Sequence, residues 1–314
     1  MSRHRHSPWT FLNAVVTQWI EDNPFQLAAA LSYYTLFSLA PLLIIVIAVA
    51  GLAFGREAAQ HQIFGAIQGM IGPDSARAIE MVIRNASEPK SGIVSTIVGL
   101  LALLFGAAGV VGQLQTSLNT IWGVTAKSGR GMWGFLRDRV ISFAMVLGIG
   151  FLLLVSLAIS AVLSALTEFM SGFIGEAAVI AHLLDLVVSF AFVTILFAMI
   201  YKFLPDVQIP WRDVWIGAAL TSLLFTVGKF LIGLYLGRSG VTSIYGAAGS
   251  LITVLLWVYY SSLIFFFGAE FTQVYATQYG SGVTPTENAQ PLAEIPESEK
   301  RESPPPQERA QAGR

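Results

Sequence analysis

Apolar and polar positions fall into long blocks along this chain. Asn23 to Gly55, Ser91 to Ala126 and Val140 to Thr167 contain no Asp, Glu, Lys or Arg. Each exceeds the roughly 20 apolar residues that a membrane-crossing helix needs. Three further apolar blocks, Ala177 to Tyr201, Val214 to Leu236 and Ile252 to Tyr275, hold one charged residue each: Asp185, Lys229 and Glu270. The pattern predicts an all-α, polytopic membrane protein with six transmembrane helices near 28–54, 93–121, 140–166, 177–201, 214–236 and 252–275. Together they form one membrane domain over 23–280.

The flanking segments carry weaker patterns. Ser7-Pro8 is a helix start, and Phe11, Val15 and Trp19 with Leu12, Val16 and Ile20 form one apolar face at i, i+4 spacing. Residues 1–22 are therefore expected to form an interfacial amphipathic helix on the cytoplasmic surface. Between spans one and two, Ile63, Ile67, Met70 and Ile71 share a helical face, Gly72-Pro73 breaks it, and Ile79, Val82 and Ala86 form a second. This predicts an outer helical hairpin, which either caps the protein or dips into the headgroups and shields a lateral opening. The 31 residues from Thr284 hold 6 of the 13 prolines, six glutamates and no aromatic residue. Residues 281–314 are expected to be a disordered cytoplasmic tail, because such a composition buries too little apolar surface to offset its ordering entropy.

Composition sharpens this picture. The chain is 54% hydrophobic and 12% charged, against about 25% charged in ordinary soluble domains. Of its 37 charged residues, 34 lie outside the six spans, which places the charge in loops and termini. A net charge of −1 gives no basic field for nucleic acid. Cysteine is absent and the four histidines are scattered, so neither a metal nor a cofactor is expected. No phosphate-cradling loop, Gly-x-Ser-x-Gly elbow or His-Glu-x-x-His motif appears, and the chain is not expected to be an enzyme. With the N-terminus inside, inner segments carry 12 Lys and Arg and outer segments five. The positive-inside rule then places both termini in the cytoplasm. Trp122, Tyr201, Trp211, Trp215, Tyr235 and Tyr275 collect near span ends, where amphipathic rings suit the headgroup region.

An ionisable side chain within a span is costly and is by default a functional candidate. Glu270 lies near the cytoplasmic end of span six. Gln115 and Asn119, on one face of span two, and Ser32 and Tyr33, in span one before Pro41, are expected at a similar depth. These residues are candidates for a substrate pathway, with interhelical hydrogen bonding as the alternative. Pro41 withdraws a backbone donor from span one and is expected to kink it. Lys229 and Asp185, at comparable depth in spans five and four, are expected to form either an ion pair or part of an anion site. Ser156, Ser160 and Ser164 in span three, with Gly109 and Gly112 in span two, read as close-packing positions.

Four motifs in order carry a resemblance. Ala28-Ala29-Ala30-Leu31-Ser32-Tyr33-Tyr34-Thr35-Leu36-Phe37-Ser38-Leu39-Ala40-Pro41-Leu42, then Gln115 through Trp122, Phe203-Leu204-Pro205, and Tyr245-Gly246 through Trp257 to Gly268-Ala269-Glu270 resemble the YihY/BrkB family of bacterial inner-membrane proteins. The resemblance implies a six-span protein of the bacterial cytoplasmic membrane. That family has also carried a ribonuclease BN label, but the chain has neither the metal-ligand cluster nor the basic surface of a tRNA-processing nuclease. The expectation is a transporter or lipid translocator for an amphiphilic or anionic substrate, with membrane lipids as partners. The alternative is a non-transporting envelope-assembly scaffold that docks protein partners through the outer hairpin or the tail. A ribonuclease is the least favoured reading, and the oligomeric state is left open.

Overall fold

The computed structural model describes residues 7–87, 109–127, 175–238, 248–280, 282–287 and 289–292. Four helices are long and apolar enough to cross a membrane: Pro24–Leu52, Leu186–Phe203, Trp211–Tyr235 and Gly249–Gln278. They correspond to expected spans one, four, five and six. Of span two, residues 109–121 are described and helical. Span three, the Tyr245-Gly246 segment and the chain beyond 292 lie outside the described residues.

Helix α1 (Pro8–Glu21) starts at Ser7 with Pro8 in its first turn, where proline's missing N–H costs nothing. Asn23, at φ 53°, reverses the chain in the left-handed region, and Pro24 opens α2 (Pro24–Phe54). With 31 residues, α2 is about 46 Å long at the helical rise of about 1.5 Å per residue. A bilayer's hydrocarbon core is about 30 Å thick. The surplus is covered by α3 (Arg56–Ile71) and α4 (Pro73–Ser87), two helices joined at Gly72.

Gly55 (φ 83°) and Gly72 (φ 85°) make the two reversals, conformations that a Cβ would strain. Helix α3 runs back along α2, setting Ile63, Phe64, Ile67 and Ile71 around Leu39, Leu43, Ile44 and Ile47, while α4 adds Ile79 and Ile83. The opposite face of α4 carries the exposed pairs Asp74–Arg77 (2.6 Å) and Glu80–Arg84 (3.5 Å). The hairpin therefore lies against the side of α2.

Residues 109–121 form α5, followed by the short strand β1 (Val124–Ala126). Helix α6 (Gly175–Phe203) leads through β2 (Val207–Gln208) into α7 (Trp211–Arg238). Helix α8 (Gly249–Gln278) follows, packed against α7, α2, α1 and α4. Helices α7 and α8 run antiparallel and interlock reciprocally. A Cβ on Gly217 would meet Thr272, and one on Gly268 would meet Thr221 and the Tyr201 hydroxyl. Each threonine hydroxyl donates back into its own helix, Thr221 to the Gly217 carbonyl (2.7 Å) and Thr272 to the Gly268 carbonyl (2.6 Å), so neither is left unpaired at the contact. Tyr201 of α6 closes the junction by donating to the Phe265 carbonyl at 2.8 Å, with Thr221 Oγ1 at 3.0 Å. Tyr201 is thus fully buried and not a headgroup anchor. Trp122 is also buried, while Trp211, Trp215 and Tyr235 are exposed as expected.

The segment after α8 corrects the expectation of disorder from residue 281. Strand β3 (Thr284–Pro285) pairs antiparallel with β2, and β4 (Ala289–Pro291) pairs antiparallel with β1. Composition missed this because backbone hydrogen bonds between distant segments hold it, with Ala289 buried and Val283 packed against the core. Thr286 N donates to Asp206 O (3.0 Å), Leu292 N to Gly123 O (2.9 Å) and Lys127 Nζ to Glu287 O (2.8 Å). Pro285 and Pro291 sit at strand ends, where a missing N–H is tolerated.

Replacing Gly268 with alanine should lower stability by about 1–3 kcal/mol, the usual range for overpacking. Thermal unfolding in detergent, followed by size-exclusion chromatography, measures it. Combining Gly268→Ala with Thr221→Gly, which moves the glycine across the interface, should recover part of the loss; no recovery would mean that the interlock is not the source.

Candidate functional site: a carboxyl pair and the hairpin cavities

Helix α1 carries two apolar stripes where the sequence pattern reads as one. Phe11, Val15 and Trp19 face α8: Phe11 meets Phe271 edge-on (centroids 5.2 Å) and Tyr279 (5.6 Å), Trp19 meets Phe267 (5.8 Å), and Val15 is fully buried. Leu12, Val16 and Ile20, with Trp9, remain exposed. This docking brings the turn after α1 onto Glu270. The Asp22 and Glu270 carboxyl groups face each other closely enough to interact, and the Glu21 charge acts on both. Burial holds the Asp22 carboxyl above the ordinary carboxylate range; the interaction with Glu270 opposes that shift and the Glu21 charge adds to it. Glu270 is 1% exposed, and its Oε2 has no hydrogen-bond partner.

The other residues singled out in the sequence do not join this pair. The Asn119 amide is engaged with Asp206 in a reciprocal clamp, Asn119 Nδ2 donating to Asp206 Oδ2 (2.9 Å) and Asp206 N donating to Asn119 Oδ1 (2.8 Å). Ser32 is buried and donates to its own helix at Ala28 O (2.7 Å). Tyr33 is exposed against the rings of Tyr34 and Phe37. Gln115 is half-buried on α5. Pro41 lies inside α2, where it denies the Phe37 carbonyl its intrahelical donor. Gly109 fits against Tyr34 and Ser38, so it serves close packing, whereas a Cβ on Gly112 would meet open space. Lys229 is exposed on α7. Asp185 belongs to α6, but its side chain lies outside the described residues. The two ion pairs among the described residues are both on α4.

Asp22 and Asp206 were not picked out from sequence. The available signal for Asp22 was its position between two helix starts. For Asp206 it was the Pro205 and Pro210 pair that compresses its loop.

Among the described residues, three cavities open along the hairpin. A crevice of about 360 Å³ opens between α2, α4 and α8, lined by Leu36, Leu39, Ala40, Ala78, Ile79, Val254 and the buried Ser75, whose Oγ has no partner. Met81, Val82 and Leu251 stand exposed at its edge. Higher along α2, a slot of about 200 Å³ is walled by Ile44, Ile47, Ala48 and Leu52. It shares Arg56, Gln60 and Ile83 with a groove of about 570 Å³ between α3 and α4, lined also by Glu57, His61, Glu80 and Arg84. An apolar slot thus adjoins a charged groove. Among the described residues no group of acidic, histidine or cysteine side chains is arranged to hold a metal.

Long apolar helices, one with an internal proline, and a buried carboxyl at a helix interface define a multi-span helical membrane protein. The chain belongs to the Virulence factor BrkB family, whose model matches residues 15–293. It is 31% identical over 261 residues to a UPF0761 membrane protein of Cronobacter sakazakii, covering 80% of this chain and 83% of that one. It is 28% identical over 266 residues to a UPF0761 membrane protein of Psychrobacter sp., covering 84% of this chain and 48% of the relative. For a UPF0761 membrane protein of Alkalilimnicola ehrlichii the figures are 29% over 268 residues, 84% and 57%. The chain therefore spans about half the length of the latter two relatives. No solved structure matches it.

Asn119→Ala removes two hydrogen bonds and should cost about 1–3 kcal/mol, because the Asp206 groups lose their partner. Limited proteolysis should then cut the 282–292 segment faster than in the parent protein. Lys229→Met, on an exposed helix face, should leave stability within about 0.5 kcal/mol; a larger loss in thermal unfolding would point to a partner for its ammonium group.

Proposed function

We propose that this protein is a transporter or lipid translocator of the bacterial cytoplasmic membrane, with both termini in the cytoplasm, and that its substrate is an amphiphile with a charged head. The observation that carries this reading is the shared wall between the apolar slot and the charged groove under the hairpin. Ile44, Ile47 and Leu52 offer a hydrocarbon surface, while Arg56, His61 and Arg84 offer donors to an anionic group and Glu57 and Glu80 offer acceptors to a cationic one. A ligand with one apolar and one ionic end satisfies both halves. A purely apolar or purely polar ligand would leave one half unmatched and pay for its desolvation.

The α2, α4 and α8 crevice supports the same reading, since it gives a chain lying in the bilayer a lateral path to the hairpin. Pro41 lies next to that wall and weakens α2 where a hinge would act. No enzymatic reaction is assigned. The outward stripe of α1, Trp9, Leu12, Val16 and Ile20, fits the headgroup boundary of the inner leaflet.

Reconstitution into proteoliposomes tests the proposal. Redistribution of a fluorescent anionic phospholipid between leaflets should accelerate with the parent protein. It should fall at least about tenfold with Ala48→Trp, which fills the slot, and with the double variant Arg56→Glu, Arg84→Glu, a loss equivalent to about 1.4 kcal/mol of barrier. Parent protein that leaves the redistribution rate at the protein-free level, for anionic and zwitterionic lipids alike, would favour the scaffold.

A further inference from the structure

The carboxyl pair at the foot of α8 has a chemical requirement that the transport reading does not use. The docking of Phe11 on Phe271 and Trp19 on Phe267 sets the Asp22 carboxyl against buried Glu270. A carboxylate only accepts, so two carboxyl groups that face each other can bond only through an O–H on one of them. Among the described residues the charges around the pair offer no substitute. From α1 the facing group is Glu21, also acidic. Helix α2 has no charged residue from Pro24 to Phe54. On α7, Asp213 lies against Gly280, more than two turns of α8 beyond Glu270. The charged residues of α3 and α4 belong to the other end of α8, where α4 meets Val254. Glu270 Oε2 is buried and unpartnered, an arrangement that a neutral acid bears far better than an anion.

We propose that Asp22 and Glu270 form a proton-binding site, in which one proton shared by the two carboxyl groups fastens α1 to α8. Half-buried Asp22 is the route by which the proton exchanges with water, and buried Glu270 is the group whose charge is the more costly. Loss of the proton leaves two carboxylates facing each other beside Glu21, and the interface holds only by Phe11, Val15 and Trp19. The elevated titration of Asp22 agrees in sign. A carboxyl held above its ordinary range contributes its docking energy at low pH and loses it as the pH rises through the shifted value. The site stands independently of whether the protein moves a lipid.

Two measurements on the full chain in phosphatidylcholine nanodiscs test it. Hydrogen exchange of residues 8–21, corrected for the intrinsic rate, should lose protection on going from acid to alkaline pH, by up to about tenfold per pH unit once the proton has left. In Glu270→Gln the carboxamide donates to Asp22 without titrating, so protection should hold at every pH. Infrared difference spectra between the two pH values should show the carbonyl stretch of a protonated carboxylic acid in the parent protein, and this band should vanish in Glu270→Gln. If that variant is not monodisperse, Asp22→Asn, at the half-buried position, repeats both measurements. Protection independent of pH in the parent, absence of the infrared band, or a variant that follows the parent's pH dependence would each overturn the assignment.

Discussion

The contact on which the rest depends is the reciprocal glycine–threonine interlock between α7 and α8. In a membrane, helices gain little by hiding from lipid, so close approach and matched hydrogen bonds must hold them together. Gly217 opposite Thr272 and Gly268 opposite Thr221 provide both, and Tyr201 ties α6 to the same point. That junction fixes α8, on whose remaining faces α1, α2 and α4 pack. The carboxyl pair, the crevice and the aromatic docking of α1 all take their positions from it. Small side chains on two helices thus set the place of groups several turns away.

Much of this was legible in the sequence, for a simple reason: the cost of burying charge in hydrocarbon is large and local, so it leaves a mark in the order of residues. The four described spans fall on one charge-free block and on the three apolar blocks that hold a single charge. The Gly72-Pro73 break locates the hairpin turn, and Ser7-Pro8 locates the start of α1. Pairings between distant segments were not legible. Asn119 meets Asp206, 87 residues away, and Glu270 meets Asp22, because antiparallel helices bring together positions that no short pattern links. Tyr201 at a span end is indistinguishable by composition from a headgroup anchor. The strand pairing of 284–291 was hidden because it depends on backbone groups, which every residue except proline carries alike.

The proportions of α2 explain the hairpin. A helix half again as long as the hydrocarbon core is thick must tilt, distort the bilayer or be clothed by protein. Here α3 and α4 clothe it, each joined by a glycine at positive φ that lets the chain fold straight back. The clothing is imperfect, and its gaps are the cavities. A cover made of two short helices cannot fill the space around a third as densely as a globular core would. The polar face that α3 and α4 turn outward brings Arg56, His61 and Arg84 beside the apolar wall of α2.

The strands that follow α8 bear on how the protein is made. Lys127 and Glu287 are 160 residues apart, so the loop after α5 waits through the synthesis of α6, α7 and α8 before its partner exists. Contacts of such separation form late and slowly. The helices can therefore enter the bilayer and find one another while the loops on that face are still open. Only then does a short ribbon of chain draw those loops together, as the final act of assembly.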